Sequence, residues 1–326
     1  MRLLRSKAPP VTTTDIYYAS DVHGADRCWR KFLGAGRFYD VDALIMGGDL
    51  TGKAIIPIEK RSDQTHRAEF LGEERIARND EELDQLLDAV RYNGMYPWPA
   101  SSEEILRYRD DDALRERLFD DVILAELRRW MALADERMKQ YGIDVFVMSG
   151  NDDPWACDRI LEEASFVQAC DDRIVQVGTH EMISCSYANP TPWHSPRELD
   201  ENALYEQINR LASQLERPRG AIFNLHVPPY DSGLDIAPKI TENLELVLSG
   251  GRPVEIPVGS TAVRQLIEEY QPLLSLHGHI HESRGETQIG RTWAINSGSE
   301  YNSGRIHGVV IKLTDDEVVS HQLVVG

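Results

Sequence analysis

The 326-residue chain is sparing with cysteine: Cys28, Cys157, Cys170 and Cys185 are all it has, and no two of them form a CxxC pair. That excludes a disulfide scaffold and fits a reducing cytoplasm. Long apolar runs are also missing; nothing approaches the roughly 18 consecutive residues of a membrane span. Arg2, Arg5 and Lys7 surround Leu3 and Leu4 ahead of Pro9-Pro10, so the start lacks the apolar centre of a signal peptide. A soluble, cytoplasmic protein is the expectation. Positive charge is scarce as well, with 35 Lys and Arg against 54 Asp and Glu and a formal net charge of −19. Such a chain repels phosphate backbones at long range, and it has no basic stretch interleaved with aromatics, which counts against a nuclease or other nucleic-acid binder. A local cationic site remains open, because a metal cluster could supply the missing charge. The rest of the composition, 41% hydrophobic and 27% charged, is ordinary for a globular enzyme.

What the chain does contain is one pattern, repeated. Ile16-Tyr17-Tyr18-Ala19-Ser20 runs into Asp21-Val22-His23-Gly24, and Ala43-Leu44-Ile45-Met46 into Gly47-Gly48-Asp49. Val145-Phe146-Val147-Met148 leads to Ser149-Gly150-Asn151-Asp152, and Ile222-Phe223-Asn224-Leu225 to His226-Val227-Pro228-Pro229. Last, Leu273-Leu274-Ser275-Leu276 meets His277-Gly278-His279-Ile280-His281. Short, continuously apolar runs read as strands buried on both faces. Polar residues just past their C-terminal ends lie where open α/β sheets build their sites. The repetition points to one convergent site.

Between the second and third of these strands, residues 59–141 carry charge well above the chain's 27%. Leu83, Leu86, Leu87 and Val90 recur at helical spacing, as do Leu114, Leu118, Val122, Ile123, Trp130, Leu133 and Met138, with Gly142 as a stop. The segment reads as a helical insertion of two or three amphipathic helices, with Tyr96-Pro97-Trp98-Pro99 as a rigid loop. A solvated appendage, a lid over the site and a homo-oligomer contact are all open roles for it. Beyond it, residues 181–187 read as a strand, 197–215 as a helix, and 309–323 as a hairpin.

Asp21, His23, Asp49, Asn151, His226, His279 and His281 together offer hard oxygens and imidazoles and no thiolate. That set suits Mn²⁺, Fe, Zn²⁺, Co²⁺ or Ni²⁺ and is too large for one four-coordinate ion. The order DxH, GGD, GNxD, a lone His and GHxH, each after an apolar strand, resembles the calcineurin-like metallophosphoesterases, and spans most of the chain apart from the insertion. The resemblance implies a four-layer αββα sandwich, a single domain over 1–326 interrupted by 59–141, and two divalent metal ions, Mn²⁺ first. It implies that Asp21, His23 and His281 hold one ion, Asn151, His226 and His279 the other, and that Asp49 bridges them. A hydroxide shared by ions roughly 3.5–4 Å apart would then attack the phosphorus of a small phosphorylated substrate.

The third motif departs from the family pattern. Asp152 stands where a histidine commonly assists the leaving oxygen, and an aspartate at neutral pH is ordinarily a carboxylate with no proton to give. Asp152 and His277 are therefore the candidates for catalytic roles beside the ligands, His277 alternatively for orienting one of them. Asp153-Pro154 reads as a helix N-cap and first turn. Asn151 and His194, the latter on the loop with Trp193, are the candidate substrate contacts. The expected activity is phosphoester hydrolysis, a phosphodiester ahead of a phosphomonoester or a nucleotide or nucleotide-sugar pyrophosphate; the alternative is a non-catalytic interaction platform on the same fold. Asn296-Ser297-Gly298-Ser299 reads as a structural turn.

Overall fold

The computed structural model describes residues 13–241 and 243–326; the basic start that argued against a signal peptide lies outside them up to residue 12. Two six-stranded sheets form the centre. The first runs, in spatial order, Val318–Val325, His307–Leu313, Thr14–Ala19, Ala43–Met46, Asp144–Val147 and Val167–Ala169. The second runs Gly285–Ile289, Thr292–Asn296, Leu274–His277, Ile222–Leu225, His180–Cys185 and Ile174–Val177. The inner strands pair in parallel, as does the edge strand Val167–Ala169, and the remaining strands toward the edges pair antiparallel.

Alternation explains why the site strands are apolar throughout. Ile16 and Tyr18, Ala43 and Ile45, and Phe146 and Met148 point between the sheets, where they meet Met182, Ile222, Leu274, Leu276 and Ile295. Tyr17 and Ala19, Leu44 and Met46, and Val145 and Val147 point the other way, onto helices Asp26–Phe38, Asp112–Met138 and Ala156–Glu163. On the far side of the second sheet, Phe223 and Leu225 pack against helices Glu201–Ala212 and Thr261–Tyr270. A strand buried on both faces has no polar side to show, and the four layers follow. This is an α/β sandwich of two sheets between layers of helices, as expected, and the C-terminal hairpin pairs antiparallel over His307–Leu313 and Val318–Val325.

The insertion needs correcting in one respect. Its helices are present, at Asp80–Tyr92, Ser102–Asp110 and Asp112–Met138. It also contains a four-stranded sheet, ordered Glu73–Ala77, His66–Phe70, Ile55–Lys60 and Tyr96–Ser101, with a small core of Ile58, Ala68, Phe70, Leu86 and Val90. Tyr96-Pro97-Trp98-Pro99 is thus an edge strand and not a loop. It pairs in parallel with Ile55–Lys60, and prolines two residues apart put both missing donors on the free side, where no ladder bond is lost. The short neighbours His66–Phe70 and Glu73–Ala77 hid from a periodicity reading because charged residues occupy their exposed face.

The long helix is docked, not solvated. Trp130 stacks on Trp29 at 5.1 Å with 3° between the rings, and its indole N–H donates to Asp26 Oδ1 at 3.0 Å. Arg129 and Arg30 close ion pairs on the same carboxylate. Ile123, Leu127, Met131 and Met138 are buried beside them.

Candidate metal centre

Thr14–Ala19, Ala43–Met46, Asp144–Val147, Ile222–Leu225 and Leu274–His277 each end within a few residues of a donor. Sharp turns then aim the donors inward, and Asp21, His23, Asp49 and His279 all adopt positive φ, between 39° and 64°. Such backbone costs of order 1–3 kcal/mol per residue and persists only where the surroundings enforce it. Here they do: Asp21, His23 and Gly24 donate their N–H groups to the carbonyls of Gly48, Asp49 and Leu50 at 2.8–3.0 Å. Close approach requires glycine at two places. A Cβ on Gly150 would run into the Asp49 carboxylate, and one on Gly278 into that of Asp21.

Two groups of donors result, with Asp49 between them. His23 Nε2 and His281 Nε2 face each other at 3.1 Å, with Asp49 Oδ2 at 3.5 Å from the first and Asp21 Oδ1 at 3.5 Å from the second. Across the carboxylate, Asn151 Oδ1 lies 2.9 Å from His226 Nε2 and 2.8 Å from His279 Nδ1, and Asp49 Oδ1 is 3.4 Å from His226 Nε2. Nitrogens aimed at one another or at one amide oxygen, among buried carboxylates, are what a shared cation would reconcile. The donor set fits divalent ions: Asp21, His23, Asp49 and His281 alone bring one ligand atom each within 4.8 Å of one another. This cluster can coordinate one or two of them.

The charges agree with that use. Burial opposes ionisation of Asp49, yet His226, His23 and His279 outweigh it and hold the carboxyl below the ordinary aspartate range. Asp21 is lowered in the same way by His281 and His226. Burial works against a charge on His226, but Asp49 and Asp21 push its pKa up to about 10. His279 goes the other way, down to about 4, through burial and the neighbouring His226. In the metal-free protein His226 therefore carries a proton at neutral pH, and a cation taking this ring as a ligand would have to displace it. Mn²⁺ titration in weak buffer near pH 7 is expected to release about one proton from this ring, and affinity should weaken as pH falls from 9 to 6. An affinity independent of pH across that range would contradict the assignment of His226.

The supporting contacts are specific. His226 Nδ1 donates to the Gly47 carbonyl at 2.8 Å, joining the two sheets. Asn151 Nδ2 donates to Ser195 Oγ at 2.7 Å, which turns the amide oxygen inward. Ser299 Oγ donates to the Asp21 carbonyl at 2.6 Å, so the turn after Asn296 is structural, as read. His277 does not reach the cluster. Its ring is fully buried, Nδ1 lies at 2.8 and 3.0 Å from the carbonyls flanking His226 and Nε2 at 2.9 Å from Ser275 Oγ. Burial lowers its pKa to about 4. No nitrogen is left for a substrate, so the geometry gives it a positioning contact, not a chemical one. His194 is exposed on its loop, next to the Ser195 that touches Asn151.

Three groups have roles that the sequence did not disclose. Asp153 caps no helix; the helix begins at Ala156 without a side-chain cap. Its carboxylate instead accepts from the N–H groups of Leu50, Thr51 and Gly150 at 2.8–3.0 Å and from Thr51 Oγ1 at 2.7 Å, clamping the second motif to the third. Lys53 forms an ion pair with Asp152, whose own N–H donates to Asp49 Oδ1 at 3.1 Å. Tyr96, on the insertion's edge strand, accepts the Gly52 N–H at 2.7 Å. The insertion thus props the loop that carries Asp49. Tyr96→Phe should cost about 1–3 kcal/mol by stranding a buried N–H and should loosen metal binding; a denaturation midpoint and a metal titration both unchanged would show the contact to be idle.

No protein-family model matches the chain. The uncharacterized protein MJ1162 of Methanocaldococcus jannaschii is 28% identical over 148 residues, 44% of this chain and 61% of that one, so the chain spans about three fifths of this relative's length. Among solved structures, TT1561 of Thermus thermophilus superposes on 93% of this chain and all of its own with a TM-score of 0.51 at 14% identity. The overlap with Yfce, a phosphoesterase from E. coli, is looser, with a TM-score of 0.32 at 10% identity over 95% of this chain and 98% of that one. Among the described residues no helix is long and apolar enough to cross a membrane.

Proposed function

We propose that the chain is a metal-dependent phosphoesterase. The observation that carries this reading is the Asp49 carboxylate, one oxygen toward His23 and the other toward His226, between two groups of donors. In this reading Asp21, His23 and His281 hold one ion, Asn151, His226 and His279 a second, and Asp49 belongs to both. Such a pair, when bound, acidifies water and neutralises charge that builds on phosphoryl oxygens. The chain's part is to fix the geometry beforehand: Gly47 orients His226, Ser195 orients Asn151, and Asp153 and Tyr96 hold the loop of Asp49. His277 steadies the carbonyls on either side of His226, and His194 reaches the substrate from its loop.

A phosphodiester ranks ahead of a monoester or a pyrophosphate. Asp152 stands where a proton donor would assist a poor leaving group, and its carboxylate is already committed to Lys53. Mn²⁺ is the first ion to try among Mn, Fe, Zn, Co and Ni. Turnover of paired aryl phosphate diesters and monoesters by the Mn²⁺-loaded protein is the test, with the diester expected to be faster. A monoester preference would reverse the ranking. Absence of turnover with every metal and ester class would favour a non-catalytic binding role.

A further inference from the structure

Lysines on acidic proteins usually wave in solvent, and an exposed ion pair contributes little to stability. Lys53 differs in where its backbone is held. The three preceding N–H groups are all fixed by side chains, those of Leu50 and Thr51 by Asp153 and that of Gly52 by Tyr96. The residue therefore leaves a rigid loop four positions after Asp49. Its side chain is 65% exposed and its ammonium meets Asp152, which is only 17% exposed and lies against the Asp49 carboxylate through its own N–H. Partial burial disfavours the charge, but Asp152 more than offsets it, and Lys53 stays an ammonium. Tyr301 borders the donors as well, its ring 4.7 Å from that of His23 and 5.8 Å from that of His281, and it lies near enough to Lys53 and Asp152 to feel both charges.

We propose that Lys53 binds a phosphoryl oxygen of the substrate beside the donor cluster, with Asp152 as the tether that aims it. The proposal rests on the phosphoesterase reading and deepens it, since it gives position 152 a use that needs no proton. An ammonium has three donors; Asp152 is its only acidic partner among the described residues, which leaves donors for an anion. A lysine serves phosphate as a point charge, and here it would answer the carboxylates of Asp21, Asp49 and Asp152 in a chain of net charge −19. No bond is made or broken at Lys53; it touches the anion and holds it.

The test compares Lys53→Met and Lys53→Arg with the unaltered protein, all loaded with Mn²⁺, and measures inorganic phosphate binding by calorimetry beside aryl phosphate turnover and metal content. Lys53→Met is expected to weaken phosphate binding by about 10- to 100-fold, with metal content and melting temperature unchanged and Lys53→Arg recovering most of the loss. Phosphate bound as tightly by Lys53→Met as by the unaltered protein would overturn the proposal, and so would a loss of metal in that variant. If phosphate binds in a Lys53-dependent way but no ester is hydrolysed, the anion site stands and the enzymatic reading falls.

Discussion

Asp49→Ala is expected to abolish phosphoester hydrolysis, by about 10³-fold or more, and to leave the protein unable to retain two ions. The carboxylate turns one oxygen to each donor set, 3.5 Å from His23 Nε2 and 3.4 Å from His226 Nε2. Oδ1 also accepts the Asp152 N–H at 3.1 Å, so its loss frees the tether of Lys53. Asp49→Asn should keep that bond and the fold, yet lose the second ion, because a neutral amide cannot offset two cations. Elemental analysis and turnover on the same preparations decide it. Two ions and undiminished turnover in the alanine variant would mean that hydrolysis resides in a contaminating phosphatase or that the metals sit elsewhere.

Arg197→Met should be the most damaging change to stability away from the donors, by about 3–5 kcal/mol. Arg197 is 1% exposed, yet it carries a full charge under the rim of the site. Its guanidinium makes a double contact with Asp158 at 2.8 and 3.0 Å and donates to the carbonyls of Asp153 and Pro154 at 3.1 and 3.2 Å. Its own N–H donates to the Asn151 carbonyl at 3.2 Å. Asp171, 3.7 Å from the guanidinium, has a pKa pushed up to about 6 by burial even with Arg197 helping to hold it down. Without the arginine, Asp158 and Asp171 are left facing each other. The sign follows: Asp171 holds its proton more tightly folded than unfolded, so the penalty is absent well below pH 4, grows to its full size above about pH 6, and is larger still in the variant. Arg197→Met should therefore lose more stability at pH 7 than at pH 5. Removing the Asp158 charge as well, in Arg197→Met with Asp158→Asn, should recover part of the loss. Denaturant midpoints equal for all three proteins at both pH values would show that the buried charge is not structural.

The layers and the donor residues were legible because each site strand is buried on both faces, which forces an unbroken apolar run, and because each run ends at the same rim. The contacts that hold the donors were not legible. Asp153 before Pro154 looks like a helix cap, and nothing in the local sequence says that its carboxylate turns back more than a hundred residues to Leu50 and Thr51. Lys53 and Tyr96 escaped for the same reason: their partners lie across the fold, and neither interrupts a periodic pattern. The GGD motif does run on as Leu50-Thr51-Gly52-Lys53, and a lysine only four residues after a candidate metal ligand was a signal to be used. His277 was drawn toward the chemistry by its place in a histidine-rich turn, while the strand's pleat directs its ring into the scaffold.

Anomalous diffraction from crystals of the Mn²⁺-loaded protein tests the central claim most directly. Two manganese peaks are predicted on either side of Asp49, one among Asp21, His23 and His281 and the other among Asn151, His226 and His279. A lone peak away from Asp49, or none in a protein that still hydrolyses phosphoesters, would contradict it.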